Sequence, residues 1–270
     1  MRVRKEIAAI MAVVFGLFVV SPELALALPS GYKIEAGEAS FDASRADTLV
    51  ITASDRAVIN FDSFSVGQNE IVQFVQPFNS ASVLSRVTGG SQSDIYGSLL
   101  ANGQLILVNP HGIYFAPSAN VQVSSLIAST LDIQNAMYLD GQLSFEKKFG
   151  FDPASIVNEA DITAAQGGHI ALLSEAIENR GRLAAQLGSV VLGVGEKATL
   201  SFDGQGLINL VIDKGLSGHL ERVPLVNSGT LEADGGLVLL SAKTLDEALV
   251  TLVNTSGVIE AEGAVDRDGV

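Results

Sequence analysis

The chain repeats itself. Gly97-Ser-Leu-Leu-Ala-Asn-Gly-Gln-Leu-Ile-Leu-Val108 lies residue for residue over Gly229-Thr-Leu-Glu-Ala-Asp-Gly-Gly-Leu-Val-Leu-Leu240, and looser copies begin at Ile156, Ile177 and Leu252. Each unit opens on an apolar-x-Asn step, runs through a short alternating strand and a glycine-centred turn, and ends in a second strand. The marker asparagines, Asn158, Asn179, Asn227 and Asn254, are spaced by 21, 48 and 27 residues, so the middle gap holds about two units.

A unit of that length built from period-2 strands leaves no room for a helix in every repeat. What remains is a β-solenoid or a sandwich of short strands, and only the solenoid requires self-similar units. The predicted fold class is therefore all-β, with coils stacked at ~4.8 Å and equivalent side chains above one another. Leu99, Ile162, Leu183 and Leu231 should then form one inward column, with Leu105, Leu107, Leu237 and Leu239 supplying others. The asparagines either stack at a turn, where the amide bonds nearby backbone, or merely break strands.

Segments outside the repeat have roles of their own. Gly31 to Asn60 alternates without the repeat signature, as expected of a cap that protects the exposed end of a solenoid. Met137 to Pro153 breaks the repeat, contains Asp140-Gly141 and a basic pair, and reads as an excursion in the form of a hairpin. Leu245 to Val253 could make a helical turn or two but also reads as strand.

The first 27 residues read as a signal peptide. Arg2, Arg4 and Lys5 precede an uncharged run from Ile7 to Val20, and Ala25-Leu26-Ala27 is a small-x-small cleavage site. The run is too short for a bilayer-spanning helix, which needs about 20 residues. Residues 28–270 are then a single exported domain with no later membrane span. Its end, "AEGAVDRDGV", falls in mid-repeat, and the expectation is a chain that is truncated or continues beyond residue 270. The chain has no cysteine, so its core alone must hold it in an oxidising compartment.

Removing the signal segment takes away three basic and two acidic residues, and the net charge moves from -14 to about -15. Such a surface repels phosphate backbones and no basic patch offsets it, which speaks against nucleic acid as a partner. No catalytic set is evident. His111 lies on a Pro-Gly turn without a nearby acid, His169 beside a repeat strand, and His219 in a Gly-rich loop. Three histidines at non-equivalent repeat positions make no metal site, and no cofactor motif appears. Glu159 and Asp161 have Arg180 and Arg182 near the equivalent place one repeat later, which reads as charge pairing on a solvated face.

The opening between Val108 and Ile113, Asn109-Pro110-His111-Gly112, has the composition of a type I β-turn, with Asn first, Pro second and Gly fourth. Here the residues resemble a family. "NFDSFSVGQNEIVQFVQPFNSASVLSRVTGG" and "SDIYGSLLANGQLILVNPHGIYFAPSANVQVSSLIAST" are similar to the N-terminal secretion domain of filamentous haemagglutinin-type exoproteins of two-partner secretion systems. The resemblance runs from about Gly31 to Gly263. It implies a right-handed parallel β-helix with an N-terminal cap and extra-helical strands or a hairpin, and no enzymatic activity. It also implies recognition in the periplasm by an Omp85/TpsB-type outer-membrane transporter through POTRA domains, then folding at the cell surface as a secreted or surface-held protein.

The family's turn carries over to Asn109, Pro110, Gly112 and Ile113, with Arg86, Val87, Thr88, Gly89 and Gly90 beside them as further candidates for transporter recognition or turn structure. Two departures stand out: His111 occupies a position where the family usually has Asn, and no Asn-Pro-Asn-Leu motif is present. The alternatives are a polysaccharide lyase or hydrolase on the same fold, or a stand-alone surface adhesin. Host or surface glycans are expected to be contacted through sequence beyond residue 270.

Overall fold

The computed structural model describes residues 28–202, 207–217, 223–245 and 251–261. The expected signal peptide, His219 and most of the stretch from Leu245 to Val253 lie outside these residues.

Alternation along the chain becomes three stacked faces of parallel strands. The first face takes Thr48–Ala53, Ile71–Val75, the starts of Ser98–Val108 and Asn120–Ser129, then Asp161–Ala164, Arg182–Ala184, Thr230–Glu232 and Val258–Glu260. The second takes Ala57–Phe61, Ser82–Val87, the ends of the same two long strands, His169–Ser174, Ser189–Val194 and Leu237–Ala242. The third runs from Ser93–Ile95 through Ile113–Phe115, Ser155–Asn158, Ala176–Asn179 and Leu225–Asn227 to Val253–Thr255. Because Ser98–Val108 and Asn120–Ser129 pass straight through the corner, the first two faces join into one sheet. The chain is a parallel β-helix, the solenoid of the two architectures the repeat allowed.

Register builds the core. Leu49, Val72, Leu99, Val121, Ile162, Leu183, Leu231 and Ile259 lie in one column of pairing partners, and all but Ile259 are buried. Each such side chain contributes about 1.5–3 kcal/mol by leaving water. Near the capped end, Phe61, Phe64 and Phe74 fill the interior, with Phe61 and Phe64 edge to face at 5.2 Å.

One expected column is displaced. The Leu105 row continues through Leu126, Ile170 and Val190 to Val238, and the Leu107 row through Ala128, Leu172 and Leu192 to Leu240. Leu237 and Leu239 take the opposite parity, and Leu239 packs on an outer cluster instead. The corner after Glu232 is one residue longer than the one through Asn102-Gly103, since Thr230 and Leu237 align with Ser98 and Gln104. A one-residue slip sends every following side chain to the other side of the sheet.

The second face is buried on both sides: Ser82–Val87, His169–Ser174 and Ser189–Val194 are buried at every position. Its outer side is covered by the helix Asn135–Leu139 and an antiparallel sheet of Leu143–Glu146, Lys197–Phe202 and Ile208–Lys214. The hairpin expected within 137–153 is therefore corrected. That excursion supplies a helix and a single strand, and the hairpin comes from a second excursion, Lys197–Phe202 with Ile208–Lys214, which also pairs with that strand.

The cap is also shorter than the sequence suggested. Lys33–Ala36 and Ala39–Arg45 lie antiparallel on Ala57–Phe61 and Thr48–Ala53, and these two partners already belong to the first coil.

Candidate functional site

Asn109 follows the end of Ser98–Val108, where the second face hands over to the third. Its backbone N–H donates to the Ser129 carbonyl of the coil above at 2.9 Å, and its carbonyl accepts from Gly112 N–H at 3.1 Å, closing the turn. The side chain works as hard as the backbone. Asn109 Oδ1 accepts from His111 N–H at 2.9 Å, and Nδ2 donates to the Ser91 carbonyl at 3.0 Å and to Ser93 Oγ at 2.9 Å in the coil below. One carboxamide thus links successive coils at a place where Pro110 offers no donor of its own.

Gly112 is required by geometry. Its φ is +109°, and a Cβ there would lie 3.2 Å from the Ser155 carbonyl. Asn109, Pro110, Gly112 and Ile113 are all buried. His111 is the exposed member of the turn, its ring 5.1 Å from that of Phe151.

Residues 86–90 pass beneath this turn and join it through Ser91. Val87 points into the inner core, and Thr88 donates from its N–H and its Oγ1 to the Phe61 carbonyl at 2.8 and 3.1 Å. A Cβ on Gly89 would meet the Asp62 carbonyl oxygen at 2.0 Å, so the coil below admits only glycine, whereas Gly90 faces open space. Arg86 is buried and turns outward. Its guanidinium donates to Asp132 Oδ1 at 2.7 Å, to Asn135 Oδ1 at 2.8 Å, to Asn60 Oδ1 at 3.3 Å and to the Ile133 carbonyl. It therefore anchors the first excursion to the second face.

Three marker asparagines form a buried ladder on the third face. Asn158 Nδ2 donates to Asn179 Oδ1 at 2.8 Å, and Asn179 Nδ2 to Asn227 Oδ1 at 2.7 Å. Asn227 Nδ2 then donates to Thr255 Oγ1 at 3.2 Å, and Phe115 lies in register below the stack. Asn254 is outside this ladder: it pairs with Val226 and is exposed, because Thr255 takes the aligned position.

The charge pairs read from the repeat are present. Arg180 bridges Glu159 at 2.6 Å and Glu178 at 2.9 Å, and Arg182 bridges Asp161 at 3.0 Å and Glu232 at 2.6 Å. Hydrogen bonds from Tyr114 and Arg180 hold Glu159 below the usual carboxylate range, and the same bond pushes the Tyr114 phenol up to about 12. Glu196 has no counterpart in the motif reading. Burial raises its pKa, but Lys214 at 2.6 Å and the hydroxyl and N–H of Ser217 prevail and lower it to about 2. Partners so far apart in sequence leave no spacing signal.

His169 sits at the corner of the first two faces, far along the chain from the turn, and makes its ring hydrogen bond to Gln104 at 2.8 Å. Among the described residues no group of three His, Asp or Glu side chains could hold a metal ion. No helix among them is long and apolar enough to cross a membrane.

Comparison with known proteins meets this geometry at the level of the whole domain. The secretion domain of HMW1 from Haemophilus influenzae has a solved structure that superposes with a TM-score of 0.72 at 30% identity, covering 86% of this chain and 66% of that one. Two heme/hemopexin-binding proteins of Haemophilus influenzae, one from strain ATCC 51907 / DSM 11121 / KW20 / Rd, are 29% identical over 261 residues and 28% identical over 249. These alignments span 89% and 90% of this chain but only 27% and 26% of the relatives' lengths. The TPS secretion domain profile matches residues 36–269. With nearly the whole β-helix inside that match, the chain belongs to the TPS secretion-domain family, a family of exoprotein export domains and not of enzymes.

Proposed function

We propose that this domain carries an exoprotein out of the cell by presenting its unfolded chain to an Omp85/TpsB-type outer-membrane transporter, and that it then nucleates β-helix folding at the surface. The observation that carries the reading is the burial of Asn109, Pro110, Gly112 and Ile113 in the folded coil. Side chains enclosed by three coils are out of a partner's reach, so a transporter that reads this motif reads it before the coils close. Periplasmic POTRA domains would take the extended chain by strand addition, for which alternating segments such as Ser98–Val108 are suited. Once outside, each coil buries the apolar column of the last, and the free energy released biases movement outward.

The absence of cysteine supports passage as an extended chain, and the product is secreted or held at the cell surface by way of the periplasm.

Co-expression with and without a co-encoded transporter tests the export step. Mature protein is expected in the medium only when the transporter is present, and equal periplasmic accumulation in both strains would overturn the reading. The turn is tested separately with the double variant Asn109→Ala, Pro110→Ala. Its folded form should lose about 2–4 kcal/mol in urea titration. Urea-unfolded wild type should bind immobilised POTRA domains on dilution while the variant binds at least tenfold less. Equal capture of the two chains would assign the turn to folding alone.

A further inference from the structure

The corner between the first and second faces is uneven. Ser98–Val108 and Asn120–Ser129 run straight through it, whereas the coil below detours through residues 76–81 and a coil above through 165–168. Flush strands between protruding turns leave a trench. One part, about 400 Å³, is lined by Asn79 and Ser80 from the lower turn, Gln166 from the upper, Gln104 and His169 on the floor, and Phe202. It shares Ser124 and Ala165 with a second part of about 700 Å³ that passes Asn102, Gln122, Gln73 and Thr163 on the outer side of the first face. Both volumes fall within the range of roughly 300–1,000 Å³ occupied by small-molecule sites.

Apolar groups, among them Leu100 and Phe202, supply a large part of the lining, and its polar side chains are mostly amides and hydroxyls. Its one carboxylate, Asp161, is paired with Arg182 at 3.0 Å, so a trench on a chain of net charge -14 carries no unpaired charge. Among the described residues, the amides of Gln73, Asn79 and Gln166 have no hydrogen-bond partner. Gln122 uses one N–H on Asn120 at 3.0 Å and keeps the rest of its amide. His169 is 7% exposed, with Nε2 taken by Gln104 and the other ring nitrogen without a partner among those residues. Phe202, 47% exposed, stands 5.2 Å from the imidazole and presents an apolar face.

We infer that this trench binds a neutral, hydroxyl-rich glycan chain. Rows of amides both donate and accept, as sugar hydroxyls do, and the Phe202 ring suits the C–H face of a pyranose. An anionic glycan finds no unpaired cation here. An extended peptide is disfavoured because the floor strands already pair with neighbours on both sides, leaving no edge for strand addition. The site lies on the folded domain and does not depend on how the chain is exported.

The purified, folded chain is tested on an array of neutral, sulfated and uronic-acid oligosaccharides, and the best neutral ligand is then titrated calorimetrically against wild type, Gln122→Ala and Phe202→Ala. Gln122 is exposed and Phe202 about half exposed, so far-ultraviolet circular dichroism should be unchanged in both variants and melting temperature unchanged in Gln122→Ala. Neutral glycans should bind, and each variant should weaken the best one by about tenfold, the scale of one lost polar or stacking contact. No neutral binder above background, a preference for the anionic set, or affinity unchanged in both variants would each overturn the assignment. A displaceable extended peptide in the trench, with no glycan bound, would also count against it.

Discussion

At His169 burial lowers the imidazole pKa to about 4, well under its ordinary value of 6.5. The native state therefore refuses a proton that the unfolded chain accepts, and stability falls as pH drops from 6.5 towards 4. The full effect is about 3 kcal/mol. Glu196 acts in a lower window. Its folded value near 2 means that its contribution is complete above its ordinary 4.5 and is lost only as pH falls below that. Urea titrations between pH 7 and 4.5 should show a steady loss in the wild type and a flatter profile in His169→Gln. Equal slopes would remove His169 as the cause. At this scale Asn109 was legible from turn chemistry alone, whereas nothing near His169 in sequence announced its burial. Its partner Gln104 lies 65 residues away and Phe202 arrives on a different excursion.

Arg86 shows how one strand holds an element that the repeat does not contain. The helix Asn135–Leu139 has five residues, lacks a side-chain cap and is too short to persist alone. It is held by Arg86 and by Tyr138, whose buried hydroxyl bonds Ser82 at 2.8 Å. Arg86→Ala removes the guanidinium donor from Asp132 and three other acceptors and should cost about 2–4 kcal/mol. Arg86→Lys should recover only part of this, because one ammonium cannot replace a fork that reaches four acceptors. Hydrogen exchange is expected to quicken across residues 131–146 while the first face is unchanged. Uniform quickening would mean that the excursion is part of the global fold. The sequence marked where the repeat stops, but the strand partner of Leu143–Glu146 begins more than 50 residues later, beyond any local pattern.

For the whole molecule, stability is close to a sum over stacked coils, with the ends as exceptions. The cap strands Lys33–Ala36 and Ala39–Arg45 close the two edges offered by the first coil. Deleting residues 28–45 should leave those edges as templates for a second chain. Sedimentation should then show concentration-dependent association that the uncapped chain alone displays, and a monomer at all concentrations would show that the cap has another purpose. The sequence by itself determined the unit, the recurring asparagine at Asn158, Asn179 and Asn227 though it counted Asn254 with them, the inward column through Leu99 and Leu231, and the turn at Asn109, because alternation and turn chemistry are properties of neighbouring residues. Tertiary structure decided the parity of Leu237 and Leu239, the place of Thr255 instead of Asn254 in the ladder, the cover on the second face, and the trench. Each depends on the length of a corner or on a contact between distant coils, where a single added residue reverses which side of the sheet a side chain faces.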